Sequence, residues 1–149
     1  MADPRELILA RLVVIAATVP GIRNTFRNQI TLNDEEMPAI SVLDGDEKAD
    51  ETDPADRGPK GPRRMIMLPQ MLIYLPKKAS LVGTSLNGFR ALLIDAVADD
   101  SVLTAMTTKE RGARHMTTQT ALAWGRSMLG EMGVSFAIPY VAFPGQLAG

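Results

Sequence analysis

The sequence predicts an α+β fold in which two main helices pack on one face of a largely antiparallel or mixed sheet of four to five strands. Three observations predict it. The 149 residues, 46% apolar and 22% charged, have globular composition and enough length for one domain with a real core. Apolar side chains recur at helical spacing in residues 7–19 and 81–98, and strand-like runs lie between and after them. The resulting order is helix, strand, strand, long loop, strand, helix, short helix, strand, strand, which is a layered α+β design. The second sheet face is left to solvent or to a partner.

Asp3-Pro4-Arg5-Glu6 opens the first helix. Asp3 accepts from free backbone N–H groups, Pro4 takes the first helical position, where no donor is missed, and Glu6 stands in the capping-box position. Pro20-Gly21 stops the helix, so it is expected to run to about Val19. Leu7, Ile8, Leu9, Leu12, Val13, Val14 and Ile15 cover more than the stripe of about 100° that a helix on the outside of a monomer needs. The excess predicts burial on two sides, by the sheet and by something else. Val14 is the candidate for that second contact. Residues 22–26 form a short strand, and Ala39-Ile40-Ser41-Val42-Leu43 forms a better one that runs into the turn signal Asp44-Gly45.

Residues 44–64 differ from the rest of the chain. Residues 34–56 hold 10 of the 17 acidic side chains, and Arg57, Lys60, Arg63 and Arg64 follow, separated by Gly58, Pro59, Gly61 and Pro62. The segment reads as a long, polar, mobile loop, acidic first and basic second. Loops above about 15 residues inside a compact domain are usually functional or disordered. Residues 65–75 return to strand character, with Pro69 pointing to an edge position or a bulge. With residues 39–43 they make a hairpin whose tip is the charged loop.

Ser80 is expected to cap the second helix, residues 81–98. Leu81, Leu86, Phe89, Leu92, Leu93 and Val97 mark its buried side, and Arg90 and Asp95 face out. Asp100 or Ser101 caps a short helical turn through Met106. Residues 114–124, rich in Thr and Ala, and residues 132–141, which alternate, supply the last two strands, with residues 125–131 as the loop between them. Residues 143–149 are a Pro/Gly tail, expected to be loose. One domain over residues 1–142, without internal repeats, is the expected organisation.

Composition excludes much chemistry. Sixteen Lys plus Arg against 17 Asp plus Glu gives a net charge near −1, whereas a dedicated nucleic-acid binder carries a basic surplus for phosphate contacts. No cysteine means no disulfide, thiolate zinc site or cysteine nucleophile. The one histidine, His115, leaves at most one place for a Ser-His-Asp triad, and it sits between Arg114 and Met116 with no acidic neighbour in sequence. The most apolar stretch, residues 7–19, is cut by Arg11 and falls short of the roughly 20 residues of a bilayer span. An export signal would want a basic start, which Asp3-Pro4-Arg5-Glu6 is not. No membrane association and no secretion are expected.

The motifs that invite chemistry fail on spacing. A calcium loop starting at Asp44 would need Asp or Asn at 48, Gly at 49 and Glu at 55, but the chain has Lys48, Ala49 and Ala55. Gly83-Thr84-Ser85-Leu86-Asn87-Gly88 and Gly125-Arg126-Ser127-Met128-Leu129-Gly130 each miss the nucleophile-elbow spacing by one residue. Gly58-Pro59-Lys60-Gly61 is too short for a phosphate loop and has prolines where donors are needed. Nine methionines suggest an adaptable face, but Met65, Met67 and Met71 lie at strand spacing and read as sheet packing. No catalytic residue, metal or cofactor is expected.

Met37-Pro38-Ala39-Ile40-Ser41-Val42-Leu43-Asp44-Gly45-Asp46-Glu47 resembles a strand and turn found in small proteins of prophages and siphophages. Those proteins continue into an Arg/Gly/Pro loop, here Arg57-Gly58-Pro59-Lys60-Gly61-Pro62, then a strand before a central helix. Gly125-Arg126-Ser127-Met128-Leu129-Gly130-Glu131-Met132-Gly133, followed by Phe136 and Tyr140, resembles their C-terminal hairpin. The chain is thus similar in order and length, over about residues 4–141, to the phage tail terminator family of the lambda minor tail protein U type. The resemblance implies a subunit of a hexameric ring. Such a ring caps the tail tube at its set length and presents the surface that joins the head, so the partners are tail tube protein, head–tail connector proteins and DNA passing through unread. The place implied is the head-proximal end of the tail, after assembly in the host cytoplasm.

The residues themselves agree with an assembly role on two points. Helix 1 is too apolar for a free surface, and a loop acidic at one end and basic at the other suits a head-to-tail contact between copies. The candidate subunit or tube contacts are Val14, Asp44, Asp46, Glu47, Arg57, Arg63, Arg64 and Arg126. A neighbouring head–tail connector, or a small-molecule-binding or enzymatic α+β domain, remain the alternatives, since fold class alone supports none of them.

Overall fold

The Asp3 carboxylate accepts from the backbone N–H of Arg5 at 2.9 Å and, with Pro4 in the first turn, starts α1 (Pro4–Ala17). The computed structural model describes residues 3–53, 58–76, 82–120 and 130–143. Helix α1 ends slightly before Val19, because Thr18 turns its N–H and its hydroxyl onto the Ile15 carbonyl, at 2.9 and 2.6 Å. Then come β1 (Asn24–Arg27), β2 (Ala39–Ala49), β3 (Arg63–Leu75), α2 (Val82–Asp99), α3 (Ser101–Met106), β4 (Arg114–Thr120) and β5 (Gly130–Ala142). Short 3-10 turns lie at Asp34–Glu36 and Thr108–Glu110. The predicted Ser80 cap, Leu81 and residues 125–129 of the predicted loop lie outside the described residues, as does nearly all of the predicted tail, while Gly130 and Glu131, expected in that loop, already belong to β5.

The five strands form one mixed sheet in the order β1-β2-β3-β5-β4, with β1 parallel to β2 and every other pair antiparallel. The fold is the α+β design that the element order predicts. Period-two alternation decides which face is core. Ile40 and Val42 on β2, Met67, Met71, Ile73 and Leu75 on β3, and every second residue of β5 from Met132 to Ala142 are buried in one cluster. Onto that face α1 brings Ile8, Leu9, Leu12, Ile15 and Ala16, α2 brings Leu86, Leu93 and Val97, and α3 brings Leu103. Asp100 caps α3 through its carboxylate on the Leu103 N–H at 2.8 Å.

The largest correction concerns residues 44–64. Asp44 to Ala49 are strand, and so are Arg63 and Arg64, so the connection between β2 and β3 shrinks to residues 50–62. Asp44-Gly45 is a bulge, not a turn: Leu43 pairs with Gln70 and Asp46 with Leu68, leaving two residues opposite Pro69 alone. Gly45 sits at φ +68°, and a Cβ there would stand 2.0 Å from the Leu68 carbonyl oxygen. Proline has no N–H for the ladder, so the bulge falls where β3 has no donor to give. Pro69 accordingly marks a bulge, in a central strand and not at an edge. A high count of charges made this stretch resemble a loop, but each charged side chain on β2 needs only one exposed or paired side.

Two smaller differences concern α2. Leu92 is 43% exposed, because the stripe that reaches the sheet is Leu86, Leu93 and Val97, about 100° round the helix from it. Arg90 is half-buried, donating from Nε to the Thr118 hydroxyl of β4 at 2.9 Å.

Candidate assembly surfaces

Helix α1 buries one side and leaves an apolar stripe on the other. Leu7, Ala10, Val14 and Ala17 are all exposed, at spacings of three and four residues that align them on one face. Leu7 and Val14 are each 48% exposed. Beside the stripe, Arg11 forks onto Asp100 with bonds of 2.8 and 2.7 Å, tying α1 to α3. That guanidinium holds the Asp100 carboxyl below the usual carboxylate range. The second apolar side of helix 1 that the sequence predicts is present, and Val14 lies on it.

The charged residues of the β2–β3 hairpin are largely engaged inside their own subunit. Arg27 donates to both oxygens of Asp44, at 2.9 and 3.1 Å, and also pairs with Glu6 of α1. Those bonds push the Asp44 carboxyl below its ordinary pKa. Arg5 donates to the Gly45 carbonyl at 2.6 Å and stands 3.5 Å from Glu47, which also accepts from the Tyr140 phenol. Burial, then the neighbouring carboxylate, raises the pKa of that phenol. Arg63 pairs with Asp53 at 2.7 Å, and the same carboxylate accepts from the Arg64 N–H at 2.7 Å. Asp46, opposite Leu68, points to the other face and is exposed. Arg57 and Arg126 lie outside the described residues. Among the described residues no three His, Asp or Glu side chains gather as a metal-binding group.

The sheet face away from the helices is divided. At one end, residues 28–37 run back across it as a strap between β1 and β2. Asn28, at φ +56°, reverses the chain, the Gln29 N–H donates to the Ser41 hydroxyl at 3.1 Å, and the Tyr74 phenol donates to the Ile30 carbonyl at 3.3 Å. The strap exposes Ile30 to 68%, with Asp34 and Glu35 exposed four and five residues later. At the other end lies a groove of about 390 Å³ floored by Ile66, Leu68, Ala137 and Pro139 and edged by Lys48, Arg111 and Arg114. Its volume is within the roughly 300–1,000 Å³ typical of ligand pockets.

Arg111 lies within, and Arg114 just after, a turn in which Lys109, Glu110 and Gly112 all have left-handed backbone, at φ 53°, 55° and 80°. Sequence reasoning missed both strap and groove. Ile30 and Leu32 are isolated apolar residues in a short polar stretch, and Lys109 and Glu110 carry no glycine or asparagine signal for their conformation. His115, half-buried, sits edge-on to Phe136 at 6.1 Å and is 2.9 Å from the Thr118 hydroxyl, so its partners are structural.

Compared with protein-family models, and separately with curated proteins, the chain finds no match. Among the described residues, no helix is long and apolar enough to cross a membrane.

Proposed function

We propose that this chain is an assembly subunit of the phage tail terminator type, forming a ring that caps a tail tube and offers the surface to which the head is joined. The observation that carries the reading is the exposed stripe Leu7, Ala10, Val14 and Ala17 on the outside of α1. A helix buried on one side and apolar on the other is short of a partner, and burial is worth about 25 cal/mol per Å². The resemblance of the run from Met37 to Glu47 to a strand of phage proteins supports the same reading, although here the run ends in a bulge within β2 and not in a turn. Such a ring passes DNA through its lumen without reading it, which suits a chain with net charge near −1.

The test is to purify the chain, weigh it by native mass spectrometry, and add it to polymerising tail tube protein under the electron microscope. Ring-sized particles and tubes held at a fixed length, capped at one end, support the proposal. A monomer without effect on the tubes rejects it, and binding to filled heads instead of tubes would make it a connector.

A further inference from the structure

We infer that the groove edged by Lys48, Arg111 and Arg114 receives the strap of a second copy of this chain, with Ile30 as the apolar anchor and Asp34 and Glu35 against the cations. The inference rests on the oligomer proposed above and names the surfaces by which copies would meet.

The groove defines its occupant by chemistry. Three cations stand at its rim against one carboxylate, Asp50, which accepts at one oxygen from the N–H and hydroxyl of Thr52 at 2.9 Å each and feels Arg111 only through space, so the rim keeps a surplus of positive charge. None of the three cations makes an ion pair within 4.0 Å among the described residues. The floor beneath them is apolar, and Met116, 53% exposed, extends it at the bulge of β4. A nucleic-acid backbone would satisfy the cations and leave Ile66, Leu68, Ala137 and Pro139 wet. A segment with one bare aliphatic side chain followed by carboxylates satisfies both.

The chain carries such a segment. Ile30 is the most exposed large apolar residue described, and Asp34 and Glu35 make no ion pair among the described residues. The backbone on both sides is prepared for contact. The strap is tied down at Gln29 and Ile30, and the capping box of its 3-10 turn, in which Asn33 N–H donates to Glu36 at 3.0 Å, holds Asp34 and Glu35 outward. The left-handed residues 109, 110 and 112 hold Arg111 and Arg114 at the rim, and strain of that kind gathers at functional sites. Strap and groove are different patches, so one copy's strap in the next copy's groove is a head-to-tail contact, which closes into a ring when the rotation permits.

Charge exchange tests the contact on the full chain. The variants are Asp34→Arg with Glu35→Arg on the strap, and Arg111→Glu with Arg114→Glu on the groove, weighed by native mass spectrometry at low ionic strength. All four positions are exposed, so unchanged circular dichroism and melting temperature are expected. Each variant alone should lose association by at least about tenfold, because like charges then face each other. An equimolar mixture should recover it, since each groove then meets a strap of opposite sign. Ile30→Ser should weaken association at every salt concentration. Rings that survive both charge reversals would overturn this contact and leave the ring reading to α1. Charge-sensitive dimers without rings would keep the contact and overturn the ring. An unsubstituted chain that stays monomeric would overturn both.

Discussion

The sheet is built differently on its two faces, and β5 shows the difference residue by residue. Met132, Val134, Phe136, Ile138, Tyr140 and Ala142 are buried under the helices, while on the other face Glu131, Ser135, Ala137, Pro139 and Val141 are half-exposed and Gly133 is buried. One backbone therefore serves two purposes. The helix side holds the main core; the far side is buried chiefly beneath the strap, at Ala39, Ser41, Leu72 and Tyr74, and is open at the groove. If that division is right, a substitution's cost should follow its face and not its strand. Phe136→Ala should cost about 3–5 kcal/mol. Ser135→Ala, one residue away, should stay within about 0.5 kcal/mol. Urea unfolding of the two variants decides it, and comparable losses would break the comparison.

The bulge is where the two faces change places, so it should be the next most sensitive point. Before it, the even-numbered residues Ile40 and Val42 face the helices. After it, the odd-numbered Glu47 pairs with Met67 on that side. Gly45→Ala meets a carbonyl at 2.0 Å and a backbone in the left-handed region, and left-handed strain alone costs about 1–3 kcal/mol. Gly58→Ala, with nothing within 4 Å of the added carbon, should leave the melting temperature unchanged. A tolerant Gly45 would mean that the register can slip there.

How much was legible follows from the same physics. Periodicity reports burial on one side, so both long helices, the Asp100 cap and the buried alternation of β5 could be read directly. Residues 44–49 could not, because Asp44 and Glu47 are paired with Arg27 and Arg5 from far away in sequence while Asp46 and Lys48 face solvent from a strand, and local composition cannot see such an arrangement. Asp44 and Glu47 were found as charged and conspicuous, but their engagement with α1, β1 and Tyr140 is tertiary information. Strap and groove left no sequence signal for a further reason: their residues come from five separate segments that only the sheet brings onto one face.

Acid should separate these ion pairs from the apolar core more gently. Asp44 and Asp100 have lowered pKa values, the first through Arg27 and the second through Arg11. A depressed folded-state pKa gives stability that is present above the unfolded value, near 3.9, and is lost as pH falls through the folded one. Stability should therefore be flat from neutral pH to about 5 and decline below about 4. Asp44→Asn should lower stability at pH 7 and flatten that decline. Parallel curves for the variant and the unsubstituted chain, from chemical denaturation across pH, would assign the acid sensitivity elsewhere.

The smallest expected effect on folding is also the one that divides folding from assembly most sharply. Val14 and Leu12 are two residues apart on α1, yet Leu12 is fully buried and Val14 is half in solvent. Leu12→Asp puts an unpaired carboxylate into the core and should prevent folding at neutral pH. Val14→Asp places the same group in water, so the monomer should keep its stability within about 0.5 kcal/mol. Its effect should appear only in particle mass, where the apolar stripe can no longer be covered without burying a charge. Salt then tells the two contacts apart. Screening acts over about 10 Å at 0.1 M, so the strap-and-groove contact should weaken as salt rises while burial at α1 should not. A Val14→Asp chain that still assembles at high salt would show that the outer face of α1 is not an interface, and its exposed apolar stripe would need another explanation.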